Sequence, residues 1–199
     1  MERTSKFLPG LISGCLLLLA FPPFEFWPIS LVALVPWLNQ IPQLTLKGSF
    51  KSGLWFGLIF KLGQMFWMYG MTVNWTHNPW LGLVPWLLAS LAGSLAFGLA
   101  GALIKTCHRH GWFWLAPLAW VAVETGRSYV PHLGFPWGLL GMPFWQVPQL
   151  AQGARFGGIF AISAWVFLIN TLWLKDWWLG RQRWLGGIVA VGFSITSIV

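Results

Sequence analysis

The sequence predicts an all-α integral membrane protein, a polytopic bundle of about seven transmembrane helices. Of the 199 residues, 57% are hydrophobic and only 8% are charged, whereas soluble domains carry about 25% charged residues. Long apolar runs alternate with short segments that contain charges, Pro or Gly. A segment that crosses a bilayer must satisfy its own backbone hydrogen bonds, which favours helices. These observations predict that lipid surrounds most of the chain.

The predicted spans follow the apolar runs in order. The first run ends at Pro22-Pro23 and the second begins after Phe26. Both are shorter than the ~20 residues that a full span needs, so we expect a tight pair or a partly re-entrant segment. The later runs are longer and stop at charges or helix breakers. The predicted spans are 7–21, 26–41, 52–73, 81–104, 112–130, 157–174 and 184–199.

The first run could instead belong to a cleaved signal. Ile12-Ser13-Gly14-Cys15 resembles the box that precedes a lipidated cysteine. Most of the hydrophobic residues follow Cys15, however, whereas a cleavable signal places its small residues at the end of the run. We therefore expect a retained first helix.

The basic residues predict the orientation. Lys and Arg are enriched in the cytoplasmic loops of membrane proteins. With the N-terminus in the cytoplasm, only Arg155 and Arg127 fall on the outer side. The C-terminus is then expected outside. The cytoplasmic segments would hold Arg3, Lys6, Lys47, Lys51, Lys105, Arg109, Lys175, Arg181 and Arg183.

The net charge of +8 does not predict nucleic-acid binding. The basic residues are spread in twos and threes between apolar runs, whereas nucleic-acid binding proteins gather them into a patch or stripe. Cys107, His108 and His110 form a short basic loop without a second ligand cluster, which is a weak pattern for a metal site. No metal and no cofactor is predicted.

The connection 131–156 is the first candidate for a site. It is apolar, yet Gly134, Pro136, Gly138, Gly141 and Pro143 break any regular helix. Non-helical backbone at membrane depth is tolerated where it is buried in protein or lines a cavity. We expect this outer loop to dip into the interface or to line such a cavity.

Polar residues inside predicted spans are functional candidates because they are costly in lipid. Lys61 lies in the middle of the third span and needs a partner or a watery cavity. Glu124 and Arg127 are spaced i, i+3 and can pair on one helix face, either at a site or as a structural ion pair. Asn170 is expected to bond between helices, and we expect the small residues of the fourth span to allow close packing. Those small residues are Ser90, Gly93, Ser94, Gly98 and Gly101.

Several of these residues together resemble a known family. Ala20-Phe21-Pro22-Pro23-Phe24 with Trp27-Pro28 looks like the opening of bacterial apolipoprotein N-acyltransferases. The later segments resemble that family in the same order along the chain, over essentially all 199 residues. They are Phe66-Trp67-Met68-Tyr69, Trp120, Glu124, Arg127, Gly134-Phe135-Pro136-Trp137, Gly141, Gln149-Leu150-Ala151, Gly157-Gly158-Ile159-Phe160 and Asn170.

The resemblance implies an activity for the complete enzymes. They transfer an acyl chain from a phospholipid to the N-terminal amino group of a diacylglyceryl lipoprotein. The chemistry proceeds through a thioester on a periplasmic nitrilase-like domain with a Glu-Lys-Cys triad. In the family that domain follows the seventh span, which corresponds here to the end of the chain. No catalytic residue can therefore be carried over, and the membrane half is expected to be truncated or separate from its catalytic half.

The resemblance also implies a lipid-binding role for the chain in the bacterial inner membrane. Phe135, Pro136 and Trp137 are expected to shape a cavity for acyl chains. Glu124, Arg127 and Trp120 are expected to brace that cavity or to face a head group. Phospholipid, diacylglyceryl lipoproteins and a separate nitrilase-like domain are the expected partners. The alternatives are a non-catalytic membrane protein that binds lipid or a partner, and a small transporter with Lys61 and Glu124 along its path.

Overall fold

The structure, a computed structural model, describes residues 7–131, 134–174 and 181–198, without the side chains of 181–185 and 197–198. These residues form helices and turns and contain no strand, which confirms the all-α prediction. Short 3-10 segments occupy several of the connections. The α-helices are α1 (Leu8–Leu18), α2 (Val35–Gln40), α3 (Leu46–Gln64), α4 (Phe66–Thr76), α5 (Pro79–Arg109), α6 (Ala116–Tyr129), α7 (Pro148–Ala151), α8 (Gly158–Leu172) and α9 (Arg181–Ile198).

The antiparallel pair α3 and α5 forms the centre of the bundle. A Cβ atom added to Gly53 would lie 2.2 Å from the carbonyl oxygen of Phe97, and one added to Gly101 would lie 2.5 Å from that of Ser49. The two backbones approach this closely because glycines stand at the crossing. The prediction that the small residues of 81–104 allow close helix packing is therefore confirmed.

Helix α1 runs parallel to α3 and packs against it through the residues that resemble a lipidation box. Ser13 and Gly14 are buried, and the Ser13 hydroxyl accepts a hydrogen bond of 3.0 Å from the backbone N–H of Trp37. Cys15 is exposed on another side of the helix. Close packing thus explains the small residues before Cys15 without reference to lipidation.

The second predicted span, 26–41, is a broken helix. A 3-10 segment, Trp27–Leu31, is followed by turns and then by α2. Asn170 of α8 satisfies the backbone at the break, since its side chain accepts from Leu34 N–H at 2.9 Å and donates to the Ser30 carbonyl at 2.8 Å. Buried backbone groups require such partners. The prediction that Asn170 bonds between helices is confirmed.

The third predicted span, 52–73, consists of two helices. Helix α3 ends at Gln64, and α4 begins after Met65. Helix α4 has no buried residue and packs on the start of α5, where the rings of Phe66 and Tyr69 lie 5.6 and 6.0 Å from that of Trp86. Trp75 and Trp80 at the tip of this hairpin are 84% and 78% exposed, respectively. The hairpin therefore extends from the bundle with apolar side chains uncovered.

The core is rich in aromatic rings. Trp120 of α6 lies at its centre and contacts the rings of Trp37, Phe56, Phe97 and Phe167, with centroid distances of 5.4 to 6.4 Å. These rings come from α2, α3, α5, α6 and α8. The side chain of Trp120 is 3% exposed. The cluster fixes the rotation of α6, and with it the direction of Glu124 one turn further along.

Different elements lie at the two ends of the bundle. One end, called the loop end here, holds the end of α1, the α4–α5 tip and residues 134–157. At the opposite end, Lys105 Nζ donates to the Pro42 carbonyl at 2.8 Å. Cys107, His108 and Arg109 belong to the last turn of α5, which corrects the prediction of a loop there.

Length and hydropathy identify one helix among the described residues that could cross a membrane unaided, Pro79–Arg109. A second candidate arises only if Pro148–Phe156 and Gly158–Leu172, which are bent by 111°, count as one span. Shorter apolar helices lie at Leu8–Leu18 and Gly186–Thr196. The seven spans and their orientation remain predictions.

Candidate functional site

Residues 134–141 of the loop after α6 are held by polar side chains from α3, α6 and α8. The segment turns at Gly138, which has φ of +70°. A Cβ atom at Gly138 would lie 2.9 Å from Lys61 Nζ and 3.0 Å from Gln64 Oε1. Only glycine accepts both this backbone conformation and this close approach without strain. The turn therefore lies directly against the end of α3.

Arg127 binds the carbonyl groups of this segment. Its Nη1 donates to the carbonyls of Phe135 at 3.2 Å and Trp137 at 2.9 Å, and its Nη2 donates to that of Gly138 at 3.0 Å. The rigid fork of the guanidinium suits several acceptors on one backbone. In return, the carbonyl of Arg127 accepts from the N–H of Phe135 at 3.2 Å. Arg127 thus sets the path of the loop as it leaves α6.

Glu124 binds the same segment from the other side of the turn. Its Oε1 accepts from Leu140 N–H at 2.8 Å, and the neighbouring Gly141 N–H donates to the Ser163 hydroxyl at 2.9 Å. Oε2 is buried and has no hydrogen-bond partner among the described residues. Trp120 and Ser163 are the other polar side chains close to the carboxyl group.

The predicted ion pair between Glu124 and Arg127 is not formed. Among the described residues, the hydrogen bonds of both side chains go to the loop backbone. The two charges still act on each other over a longer distance. The i, i+3 spacing is correct for a pair, but the buried loop backbone needs partners and competes for both side chains.

Lys61 binds the same turn from α3. It is 1% exposed, and its Nζ donates to the carbonyl of Trp137 at 2.7 Å and to Gln64 Oε1 at 3.1 Å. The Trp137 carbonyl therefore accepts from both Lys61 and Arg127. Two basic side chains and one carboxyl group therefore converge on a single turn. The expectation that Lys61 needs a partner is confirmed.

A cavity of about 780 Å³, called the loop-end cavity here, opens beside this cluster. Gln64 and Trp137, both partners of Lys61, line it, and the Trp137 ring packs on Trp67 at 5.5 Å. The rest of the lining is almost entirely apolar. It comprises Ala20, Phe21, Pro22, Pro23, Gly63, Phe66, Met142, Pro143, Trp145 and Ile159. A large apolar space with few polar groups is the usual form of a small-molecule site.

The six predicted site residues divide between this cavity and its supports. Trp137 lines the cavity, while Phe135 and Pro136 precede it in the loop, with Phe135 half-buried and Pro136 exposed. Glu124, Arg127 and Trp120 line a small void of about 10 Å³ between α5 and α6. The structure therefore joins Glu124 and Arg127 to Trp137 through the loop backbone, and it places Trp120 in the aromatic core.

Sequence reasoning missed several residues around the cavity. Ser163 and Gly138 hold the turn, and Gln64 connects Lys61 to the cavity lining. Lys61 itself was recognised as a candidate by its charge inside an apolar run, although it was not included among the predicted binding residues. Gly138 follows Pro136-Trp137, so a turn signal was present there. Ser163 gave no signal of its own.

The cluster of Cys107, His108 and His110 has a structural environment of its own. The His108 ring packs edge-on against Phe113 at 5.1 Å, and the His110 ring stacks on Trp112 at 4.8 Å. In the part of the chain that the structure describes, no group of three His, Cys, Asp or Glu could hold a metal ion.

Three full-length proteins illustrate the similarity to known sequences, and each is an apolipoprotein N-acyltransferase. The protein of Geobacter metallireducens is 28% identical over 83% of this chain and 32% of its own length. That of Vibrio parahaemolyticus is 28% identical over 98% of this chain and 40% of its own length. That of Mycolicibacterium smegmatis is 33% identical over 59% of this chain and 19% of its own length.

The chain thus spans 32% and 40% of the length of the first two of these relatives, respectively. The family model described as the apolipoprotein N-acyltransferase N-terminal domain matches residues 13–172. That match includes every residue of the loop-end cavity and all the side chains that hold the loop. It also agrees with the resemblance found in the sequence. The chain belongs to the family of the apolipoprotein N-acyltransferase N-terminal domain.

Proposed function

We propose that this chain is a multi-pass domain of the bacterial inner membrane that holds acyl chains for lipoprotein N-acylation. Its N-terminus would lie in the cytoplasm and the loop end would face outward. The substrates would be a phospholipid donor and a diacylglyceryl lipoprotein, and the transfer would occur on a nitrilase-like domain at the loop end. The observation that carries this proposal is the loop-end cavity of about 780 Å³ with its nearly apolar lining.

The chemistry of the cavity fits a hydrocarbon chain. Its walls are aromatic and aliphatic side chains, and each buried CH₂ group contributes about 0.8 kcal/mol. The polar group at its edge is Gln64, and Lys61 and Glu124 behind Trp137 are buried. In this arrangement Lys61, Glu124 and Arg127 do not react with a substrate. They hold the loop in the position that forms one wall of the cavity.

Photo-crosslinking tests the binding step. The purified chain is placed in lipid nanodiscs with a phospholipid that carries a diazirine near the end of its acyl chain. We expect labels concentrated in 20–23, 63–67 and 142–145, since these segments line the cavity. Ile159→Trp should reduce the labelling several-fold by filling the cavity. Ile188→Trp, at a 65% exposed position of α9, is the matched control. Equal labelling of the exposed faces of all helices would contradict the proposal.

A chimaera tests the link to lipoprotein N-acylation. This chain replaces the matching segment of the Geobacter metallireducens protein in a strain depleted of its own enzyme. We expect the N-terminal peptide of a lipoprotein to gain one acyl chain by mass. A chimaera made with the matching segment of the Vibrio parahaemolyticus protein is the control. If the control chimaera acylates the lipoprotein and the chimaera that contains this chain does not, the proposed function is wrong.

A further inference from the structure

A second apolar hollow of about 700 Å³ lies between α6, α8 and α9, and we call it the α8–α9 groove. Its lining contains no charged side chain among the described residues. Trp114 and Leu118 form one side, Ala161 and Ala164 the second, and Val189 and Phe193 the third. Ala161 and Ala164 of α8 have small side chains, which leave the space between the helices unfilled. The groove is therefore a separate space from the loop-end cavity, and none of the predicted site residues lines it.

The floor of the α8–α9 groove is fixed. Trp165 is 6% exposed, and its Nε1 donates to the carbonyl of Ala190 at 3.0 Å. Its ring stacks on Phe193 with a centroid distance of 5.8 Å. These two contacts join α8 to α9 beneath the groove. The walls are mainly the regular helices α6, α8 and α9, and short 3-10 segments contribute Trp114 and Phe156 at the two ends.

The groove runs along the helices. Phe156 stands at its loop end and Trp114 at the opposite end, and they are 57% and 60% exposed, respectively. Between them, the stretch of α8 from Ala161 to Leu168 accounts for about 10 Å of helix. An elongated, open and wholly apolar space of this shape fits an extended hydrocarbon chain better than a compact ligand.

Arg155 supplies a charge at the loop end of the groove. Its guanidinium lies 5.0 Å from the ring centroid of Phe156, and Nη2 donates to the carbonyl of Thr196 in the last turn of α9. The residue is exposed. A guanidinium has five N–H donors, so others remain for a ligand, and their geometry suits phosphate oxygens.

We propose that the α8–α9 groove binds one phospholipid molecule, with an acyl chain along α8 and the phosphate group against Arg155. An open apolar track with one cation at its end matches the two parts of such a lipid. This site is distinct from the loop-end cavity and does not require that the chain take part in acyl transfer. A lipid held here would fill the space between α8 and α9 and stabilise their packing.

Native mass spectrometry of the purified chain, released from micelles, tests this site with added phosphatidylglycerol or diacylglycerol. Ala164→Phe fills the groove and should remove one retained phospholipid per chain. Ala92→Phe makes the same change at an exposed position of α5 and should remove none. Ala161→Phe provides a second filling variant if Ala164→Phe does not fold. Equal phospholipid retention by the wild type and by a folded groove-filling variant would overturn the proposal.

Arg155→Ala tests the phosphate contact. We expect the concentration for half-maximal phosphatidylglycerol retention to rise about tenfold, since one charge-assisted contact is lost. Arg109→Ala, an exposed arginine at the other end of the bundle, should leave it unchanged. Diacylglycerol lacks the phosphate, so its retention should not respond to Arg155→Ala. If Arg155→Ala also leaves the retention of phosphatidylglycerol unchanged, the proposed phosphate contact is contradicted. The photo-crosslinking experiment is independent of these measurements. Absence of labelling in the loop-end cavity would count against the proposed function and not against the α8–α9 groove.

Discussion

The loop-end cavity and the α8–α9 groove have similar volumes, about 780 and 700 Å³, but are built on opposite principles. A wall of the cavity is an irregular loop, which needs Lys61, Glu124 and Arg127 to satisfy its backbone. The groove is bounded mainly by regular helices, which satisfy their own backbone hydrogen bonds. Buried charge is therefore found where the backbone is irregular. The charged side chains inside this bundle therefore position the loop 134–141.

Removal of Glu124 should have the largest effect on stability. Glu124→Ala leaves Leu140 N–H without its acceptor and leaves Lys61 and Arg127 without a neighbouring carboxylate. Loss of one partner from a buried charged set costs about 3–5 kcal/mol. Thermal unfolding in detergent measures the change. Glu25→Gln, at an exposed carboxylate, is the control and should be neutral. A Glu124→Ala variant as stable as Glu25→Gln would show that the carboxylate does not hold the loop.

The turn at Gly138 should be the next most sensitive point. Gly138→Ala combines a positive φ with contacts of 2.9 and 3.0 Å to Lys61 and Gln64. Gly111 has a similar φ of +71° with nothing within 4 Å, so Gly111→Ala measures the backbone strain alone. That strain costs about 1–2 kcal/mol. We expect Gly138→Ala to cost about 1–3 kcal/mol more, because overpacking adds to it. Equal costs in chemical unfolding would mean that the turn does not depend on its fit against Lys61.

The groove should respond more weakly to loss of a hydrogen bond. Trp165→Phe removes the bond to the Ala190 carbonyl and keeps the stacking on Phe193. One such bond contributes about 0.5–1.5 kcal/mol. Trp114→Phe is the control, since that indole is 60% exposed. If Trp165→Phe lowers the free energy of unfolding as much as Glu124→Ala does, the groove depends on polar contacts as strongly as the loop-end cavity does.

Arg155→Ala should have the smallest effect on the lipid-free chain. Arg155 is exposed, and substitutions at exposed positions usually change stability by less than about 0.5 kcal/mol. Its unfolding curve in detergent without added lipid should overlay that of the wild type. A large destabilisation would mean that Arg155 holds α9 in place rather than facing a ligand.

Much of this arrangement could be predicted from residue type. Charge or amide groups inside apolar runs identified Lys61, Glu124, Arg127 and Asn170, because such groups are costly there unless they have partners. The small residues of 81–104 predicted close packing for the same kind of reason, since only they let two backbones meet. The apolar loop with its helix breakers indicated the neighbourhood of the cavity. In each case a local pattern carries the physical requirement.

The partners could not be predicted, because they are backbone groups that every residue shares. The carbonyl of Trp137 accepts from Lys61 and Arg127 regardless of its side chain. The i, i+3 spacing of Glu124 and Arg127 suggested a pair, but the loop takes the hydrogen bonds of both. The helix within the run 52–73 breaks at Met65, and no Pro in that run marks the position of the break. The α8–α9 groove depends on the spacing of helices that are distant in sequence.

The position of a bound acyl chain tests the central claim most directly. Crystals of the protein grown with a phospholipid that is brominated in its acyl chain would locate the bromine atoms by anomalous diffraction. The account predicts a bromine peak inside the loop-end cavity, beside the packed rings of Trp67 and Trp137, and its loss in Ile159→Trp crystals. Bromine confined to the outer surfaces of the helices, with none beside Trp137 in well-ordered wild-type crystals, would contradict it.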